Sequence, residues 1–127
     1  MDLFEALKGR RSVRSYKDEQ IKDEELNKIL EAGEYAATGM GRQSPKMIVV
    51  QDKETIAQLS KMNAKVFGKE DMDPFYGAPT VVVVLADKNM PTCVEGDYIG
   101  VGHCILGYAK DEPKPAAPRK EGYVVRV

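Results

Sequence analysis

The run Val81-Val82-Val83-Val84-Leu85 constrains this chain more than any other feature. Four β-branched residues in succession are stiff at χ1 and favour extended backbone. The absence of polar alternation means that both faces of the strand must be covered. Residues 79–86 are therefore expected to form a central strand, and the flanking sequence must supply its covering layers. Ile48-Val49-Val50 marks a second strand within residues 46–51. Residues 98–108 read as a third, with Gly100, Gly102 and Gly107 signalling bulges or close backbone neighbours. Tyr123-Val124-Val125-Arg126-Val127 has the character of a fourth.

Helical spacing accounts for much of the remainder. In residues 2–8, Leu3, Phe4 and Leu7 share a face and Gly9 offers a stop. Asp23 is expected to cap a second helix, carrying Leu26, Ile29, Leu30 and Gly33 on one side and ending near Ala37. Asp52 is expected to cap a third, with Ile56, Leu59, Met62 or Asn63, and Val66 facing the core. Residues 111–118, rich in Pro, Lys and Ala, suit a surface crossing rather than a helix. The class is a packed α+β domain, and a chain of 127 residues has room for one domain over residues 1–127.

Charge narrows the partners. Lysine and arginine number 19 against 20 acids, a net charge of −1 without long single-sign runs, so a nucleic acid is not the expected partner. No apolar run is long enough to cross a bilayer, and Met1-Asp2-Leu3-Phe4 lacks the features of a signal peptide, so no membrane partner and a cytosolic location are expected. Cys93 and Cys104 have neither Cys-x-x-Cys spacing nor a surrounding set of histidine ligands, which points to reduced thiols and no metal site.

Three constellations carry candidate chemistry. In extended backbone, Arg10, Ser12 and Arg14 share a face, so two guanidinium forks and a hydroxyl can converge on one phosphate. The spacing is equally that of a solvated basic loop at a helix C-terminus. In Thr38-Gly39-Met40-Gly41-Arg42-Gln43-Ser44-Pro45, small residues permit close backbone approach while polar side chains offer hydrogen bonds, as a planar heterocycle requires; an ordinary helix-to-strand connection has the same composition. Asn63 stands among residues expected to be buried and can donate to a ligand carbonyl, or it is a helix-surface amide. Arg119-Lys120, after Pro118, can return positive charge to a phosphate or remain solvated. His103 and Cys104 are adjacent on an expected strand and so point to opposite faces, a poor nucleophilic pair. Asp71 and Asp73 read as solvated loop acids.

Taken together these segments resemble the nitroreductase family: Phe4-Glu5-Ala6-Leu7, then Arg10-Arg11-Ser12-Val13-Arg14-Ser15-Tyr16, then residues 38–45, then Phe75-Tyr76-Gly77-Ala78-Pro79. The resemblance implies an α+β sandwich with a mostly antiparallel central sheet flanked by helices, in an intertwined homodimer with flavin mononucleotide (FMN) bound noncovalently at the interface and each terminal segment extending over its partner. It implies that Arg10, Arg11, Ser12 and Arg14 hold the phosphate and ribityl groups, with Arg119 and Lys120 closing the phosphate end. Asn63 would face the flavin ring, and Met40, Gln43 and Ser44 would reach the flavin from the partner subunit. The implied reaction is a ping-pong exchange in which NADH or NADPH reduces the flavin and a small-molecule acceptor, a nitroaromatic or quinone, takes the electrons. No nucleophile, metal or other catalytic side chain is needed.

The chain departs from the family pattern after residues 81–86. The family continues with a long buried helix, a glycine-rich turn against the flavin and further helices, whereas only residues 87–97 stand here before the next strand. The pattern implies a missing stretch between Glu95 and Gly96, either as an internal deletion or as a segment absent from the sequence. Two functions follow: a flavin-dependent oxidoreductase, or a noncatalytic flavin- or nucleotide-binding remnant.

Overall fold

A computed structural model describes residues 2–87, 98–112 and 114–118. Its elements in chain order are α1 (Leu3–Gly9), α2 (Asp23–Glu34), a short 3-10 turn (Gly39–Gly41), β1 (Pro45–Val50), α3 (Lys53–Val66), β2 (Thr80–Asp87) and β3 (Tyr98–Leu106). Among the described residues the sheet has the order β1-β2-β3, and both pairings are antiparallel. Helices with an antiparallel sheet are the α+β architecture expected from the sequence. The expected strand at residues 123–127, the Glu95–Gly96 junction, and Arg119 and Lys120 lie outside the described residues.

The β-branched run lies at the centre. Thr80 and Val81 are fully buried and Val82 nearly so, while the second half of β2 is only half-buried. Burying one such side chain is worth roughly 1.5–3 kcal/mol, so this short stretch is a large share of the core. The one buried polar residue among those described, Thr80, is satisfied: its hydroxyl donates to Gln20 Oε1 at 2.9 Å and accepts from Gln51 Nε2 at 3.2 Å. That pair of bonds ties the chain before α2 and the end of β1 to the central strand.

The glycines of β3 divide their roles. Val84 pairs with Gly102 and Leu85 with Gly100, so Val101 is an extra residue at a β-bulge, and it stands exposed. At Gly107, past the end of β3, an added Cβ would lie 2.8 Å from Pro79 Cδ and 3.0 Å from Tyr16 Cδ1, so glycine lets the chain pass close against these two rings. The approach places residues 15–17 beside residues 108–110, where Lys17 N–H donates to the Tyr108 carbonyl at 2.9 Å and Lys110 N–H to the Ser15 carbonyl at 3.0 Å. Tyr16 and Ala109 are antiparallel bridge partners there. This junction sets residues 10–14 alongside residues 111–117.

The helices depart from the sequence expectation in four respects. Asp2, by a capping box with Glu5, starts α1, but Leu3, Phe4 and Leu7 are exposed rather than packed. Lys22, not Asp23, is the N-cap of α2; Asp23, Glu24 and Glu25 instead occupy the first turn, where the helix dipole favours acids. That helix ends at Glu34, not near Ala37, and Gly33 there lets α2 approach β1: an added Cβ would sit 3.0 Å from Met47 Sδ. Asp52 does cap α3 through Thr55 N–H at 2.8 Å. Its inward seam, however, runs through Ile56, Leu59, Ser60, Asn63 and the buried Ala64, while Met62 and Val66 are 65% and 87% exposed. Met62 sits off the seam, and Val66 lies in the last turn, beyond the cover that Leu59 receives. No helix among the described residues is long and apolar enough to cross a membrane.

Candidate functional site

The segment after α1 is extended from its first residue: Arg10, the C-cap, has φ −57° and ψ 143°. The expected alternation is visible in burial, because Arg10, Ser12 and Arg14 are exposed while Arg11, Val13 and Ser15 are half-buried. The segment forms one wall of a cavity of about 730 Å³ whose opposite wall comprises Asp111, Glu112, Lys114, Pro115, Ala116 and Ala117. Arg10, Arg11, Arg14 and Lys114 outnumber the two carboxylates, so the cavity favours an anion. Forked guanidinium donors and a hydroxyl are the chemistry that a phosphate monoester requires.

Arg11 departs from the expected convergence. Its Nη1 donates to the carbonyls of Lys8 at 2.8 Å, Gly9 at 3.0 Å and Arg10 at 2.7 Å, and its Nε to the Lys114 carbonyl at 3.3 Å. The side chain lines the cavity but turns back to the end of α1 and across to the far wall.

The loop between α2 and β1 is a separate feature. Met40 and Gln43 have φ of 57° and 49°, a left-handed conformation that costs a non-glycine residue roughly 1–2 kcal/mol. Thr38 supports it: its carbonyl accepts from Gly41 N–H at 3.0 Å and its hydroxyl from Gln43 N–H at 3.0 Å. Met40 is 78% exposed and Ser44 half-buried, and Met40, Gln43 and Ser44 line neither the anion cavity nor the one described next.

Asn63 lies in a second cavity, about 340 Å³, with Phe67, Pro74, Phe75, Gly102, His103 and Ile105. Its Nδ2 donates to the Leu59 carbonyl at 2.8 Å, one turn back in α3, so that donor is engaged within its own helix. The His103 and Phe75 rings lie 5.4 Å apart at 55°. His103 pairs with Val83 and Cys104 with Val82, which puts the two side chains on opposite faces, as their adjacency requires. Burial raises the Tyr16 phenol above its ordinary value, and Cys104 adds to the shift.

Asp73, expected to be a solvated acid, organises the turn before β2. Its Oδ1 accepts from the Ser60 hydroxyl at 2.6 Å and Phe75 N–H at 3.0 Å, and its Oδ2 from Gly77 N–H at 2.7 Å. Burial pushes its carboxyl up, but the bonds from Ser60, Phe75 and Gly77 outweigh this and hold it below the usual carboxylate range. The turn carries Tyr76 and Gly77 at φ 55° and 74° and sets Phe75 against His103. An Asp followed four residues later by Gly, in Asp73-Pro74-Phe75-Tyr76-Gly77, was the available signal. Lys114 was also missed; a lysine in a loose segment carries no pattern.

The model of the nitroreductase family matches residues 7–105. The chain belongs to the nitroreductase family. Among nitroreductases and their relatives, an FMN reductase [NAD(P)H] of Bacillus subtilis is 33% identical over 88 residues, covering 69% of this chain and 33% of that protein. The chain spans between 25% and 48% of the length of the curated relatives it matches. A nitroreductase with bound FMN from Bacteroides fragilis superposes with a TM-score of 0.83 at 22% identity, over 100% of this chain and 99% of that one. Another with bound FMN, from Desulfitobacterium hafniense, gives 0.80 at 20% identity over 98% and 97%. At these identities the structures establish the nitroreductase fold.

Proposed function

We propose that this nitroreductase-family chain is an FMN-dependent oxidoreductase that takes electrons from NADH or NADPH and passes them to a nitroaromatic, quinone or similar small acceptor. The observation that carries the reading is the exposed row of Arg10, Ser12 and Arg14 on a cation-rich cavity. Arg10 and Arg14 bind the flavin phosphate through their forks, Ser12 adds a short donor, and Arg11 and Lys114 complete the positive wall. The family resemblance assigns Arg119 and Lys120, which lie outside the described residues, to the phosphate end. Asn63 faces the flavin ring with the amide groups that its bond to Leu59 leaves over. When bound, FMN supplies the hydride and electron chemistry. The chain's own residues bind and orient it.

The active form is a homodimer. Met40, Gln43 and Ser44 sit on a strained, exposed loop apart from the chain's own anion cavity, which suits reaching a site on a partner subunit. The exposed Leu3, Phe4 and Leu7 supply an apolar face for such a partner to cover. On this reading residues 1–127 act as one unit in the cytosol, and their chemistry needs neither a metal nor a nucleophilic side chain.

One observation favours a second reading, a noncatalytic flavin- or nucleotide-binding module. Only ten residues, 88–97, separate β2 from β3 in sequence, too few for the helices that the family resemblance places there. The absorption spectrum of protein purified with excess FMN, followed by anaerobic NADH addition and intact mass, decides between them. Bound flavin that bleaches, at the mass of the 127-residue chain, is the expected result. Bound flavin that NADH leaves yellow favours the module, and absence of flavin removes both.

A further inference from the structure

We infer that Arg11 is a positioning residue of the anion cavity, a clamp that shapes the site without touching the phosphate, and this inference rests on the flavin-site reading above. A helix C-terminus is the wrong end for an anion: its last carbonyls lack intrahelical partners and carry the negative pole of the dipole. Here α1 ends at the cavity, with the carbonyls of Lys8, Gly9 and Arg10 beside the segment that must receive the ligand. Arg11 Nη1 bonds to all three, at 2.8, 3.0 and 2.7 Å. These charge-assisted bonds neutralise the pole and leave the neighbouring Arg10, Ser12 and Arg14 facing outward.

The same guanidinium spans the cavity. Its Nε donates to the Lys114 carbonyl at 3.3 Å, joining positions 103 residues apart. Residues 111, 112 and 114–118 are all exposed and belong to no helix or strand. Among the described residues, the backbone bond from Lys110 N–H to Ser15 holds the near end of this arm, and the Arg11 bond is the side-chain tie beyond it. The far wall, with Lys114, is thus held at its working distance by Arg11. Nη1 and Nε act in different directions at once, which a lysine ammonium on a flexible stem cannot reproduce.

The test compares wild type, Arg11→Lys and Arg10→Ala by two readouts. The first is ¹⁵N relaxation of the Lys114, Ala116 and Ala117 amides in ligand-free protein; the second is FMN affinity by fluorescence quenching. In Arg11→Lys the charge is kept and the fork lost, so the arm order parameters are expected to fall from a rigid value to below about 0.6. FMN affinity is expected to fall about tenfold, as for one lost charge-assisted bond. In Arg10→Ala the affinity falls while the arm stays ordered. Arg11→Lys with unchanged arm order overturns the clamp, whether affinity is kept or lost; loss alone would make Arg11 a direct phosphate contact. An arm that loosens with FMN affinity intact also overturns it. If wild type holds no FMN, the flavin reading fails separately, and arm order in Arg11→Lys still decides whether the clamp exists.

Discussion

Strand β2 and helix α1 are built from similar apolar residues and meet opposite fates. Val81 and Val82 are 0% and 3% exposed, whereas Leu3, Phe4 and Leu7 are 69%, 64% and 59% exposed. The strand finds its cover within the chain, from paired strands on both edges and from the segments around Thr80. The helix is well made, with a capping box and a clean stop, yet its apolar face has no cover among the described residues. Hydrophobic patterning therefore specifies a helix or strand and the face that wants cover, and leaves open which chain supplies it. On the proposed account, α1 belongs to a dimer core and β2 to the core of the chain itself.

Substitution should separate the two. Val81→Ala removes two methyl groups from a fully buried site and is expected to cost about 2–3 kcal/mol in urea unfolding; a loss under about 0.5 kcal/mol would mean that β2 is not the core. Asp73→Ala, which removes the carboxylate that organises the turn leading into β2, is expected to cost about 1–2 kcal/mol. Because the folded Asp73 carboxyl lies below its unfolded value, its contribution is full above the ordinary carboxylate pKa of 3.8 and is lost as pH falls through the lower folded value. Acid titration of wild type against Asp73→Ala should show the difference narrowing below about pH 4; a constant difference would contradict the assigned bonds. The smallest effect on stability belongs to α1. Leu3→Ser with Leu7→Ser should leave the unfolding free energy of the dissociated chain within about 0.5 kcal/mol, while shifting sedimentation toward monomer. Unchanged sedimentation would remove α1 from the interface.

What was legible in the sequence follows the same division. The unbroken Val81–Leu85 run located the central strand because β-branched residues without polar alternation favour a paired, inner strand, although full cover reaches only Thr80 to Val82. Gly100 and Gly102 announced the bulge that the register shift at Val84 and Leu85 contains. The alternation of Arg10, Ser12 and Arg14 was legible because extended backbone has period two. Arg11 was not, since nothing in Arg10-Arg11-Ser12 tells which guanidinium will meet the orphan carbonyls of α1. Of the two candidates offered for one position of the α3 seam, Asn63 rather than Met62 faces inward; Val66 fits the helical stripe yet is exposed, while small Ala64, the most buried residue of the helix, carries little hydrophobic signal. Asp73 is an exposed loop acid, as expected, and what the sequence barely shows is its structural role, carried by bonds from the Ser60 hydroxyl and from the Phe75 and Gly77 N–H groups.

The central claim is that the exposed row on the anion cavity recognises a phosphate. Its most direct test is equilibrium binding of FMN and of riboflavin, which lacks the phosphate, to wild type and to Arg10→Ala with Arg14→Ala. The account predicts that the double variant loses FMN affinity on the order of a hundredfold, as for two charge-assisted contacts, with riboflavin binding changed less than about threefold. Equal losses for the two ligands, or no loss for FMN, would contradict it.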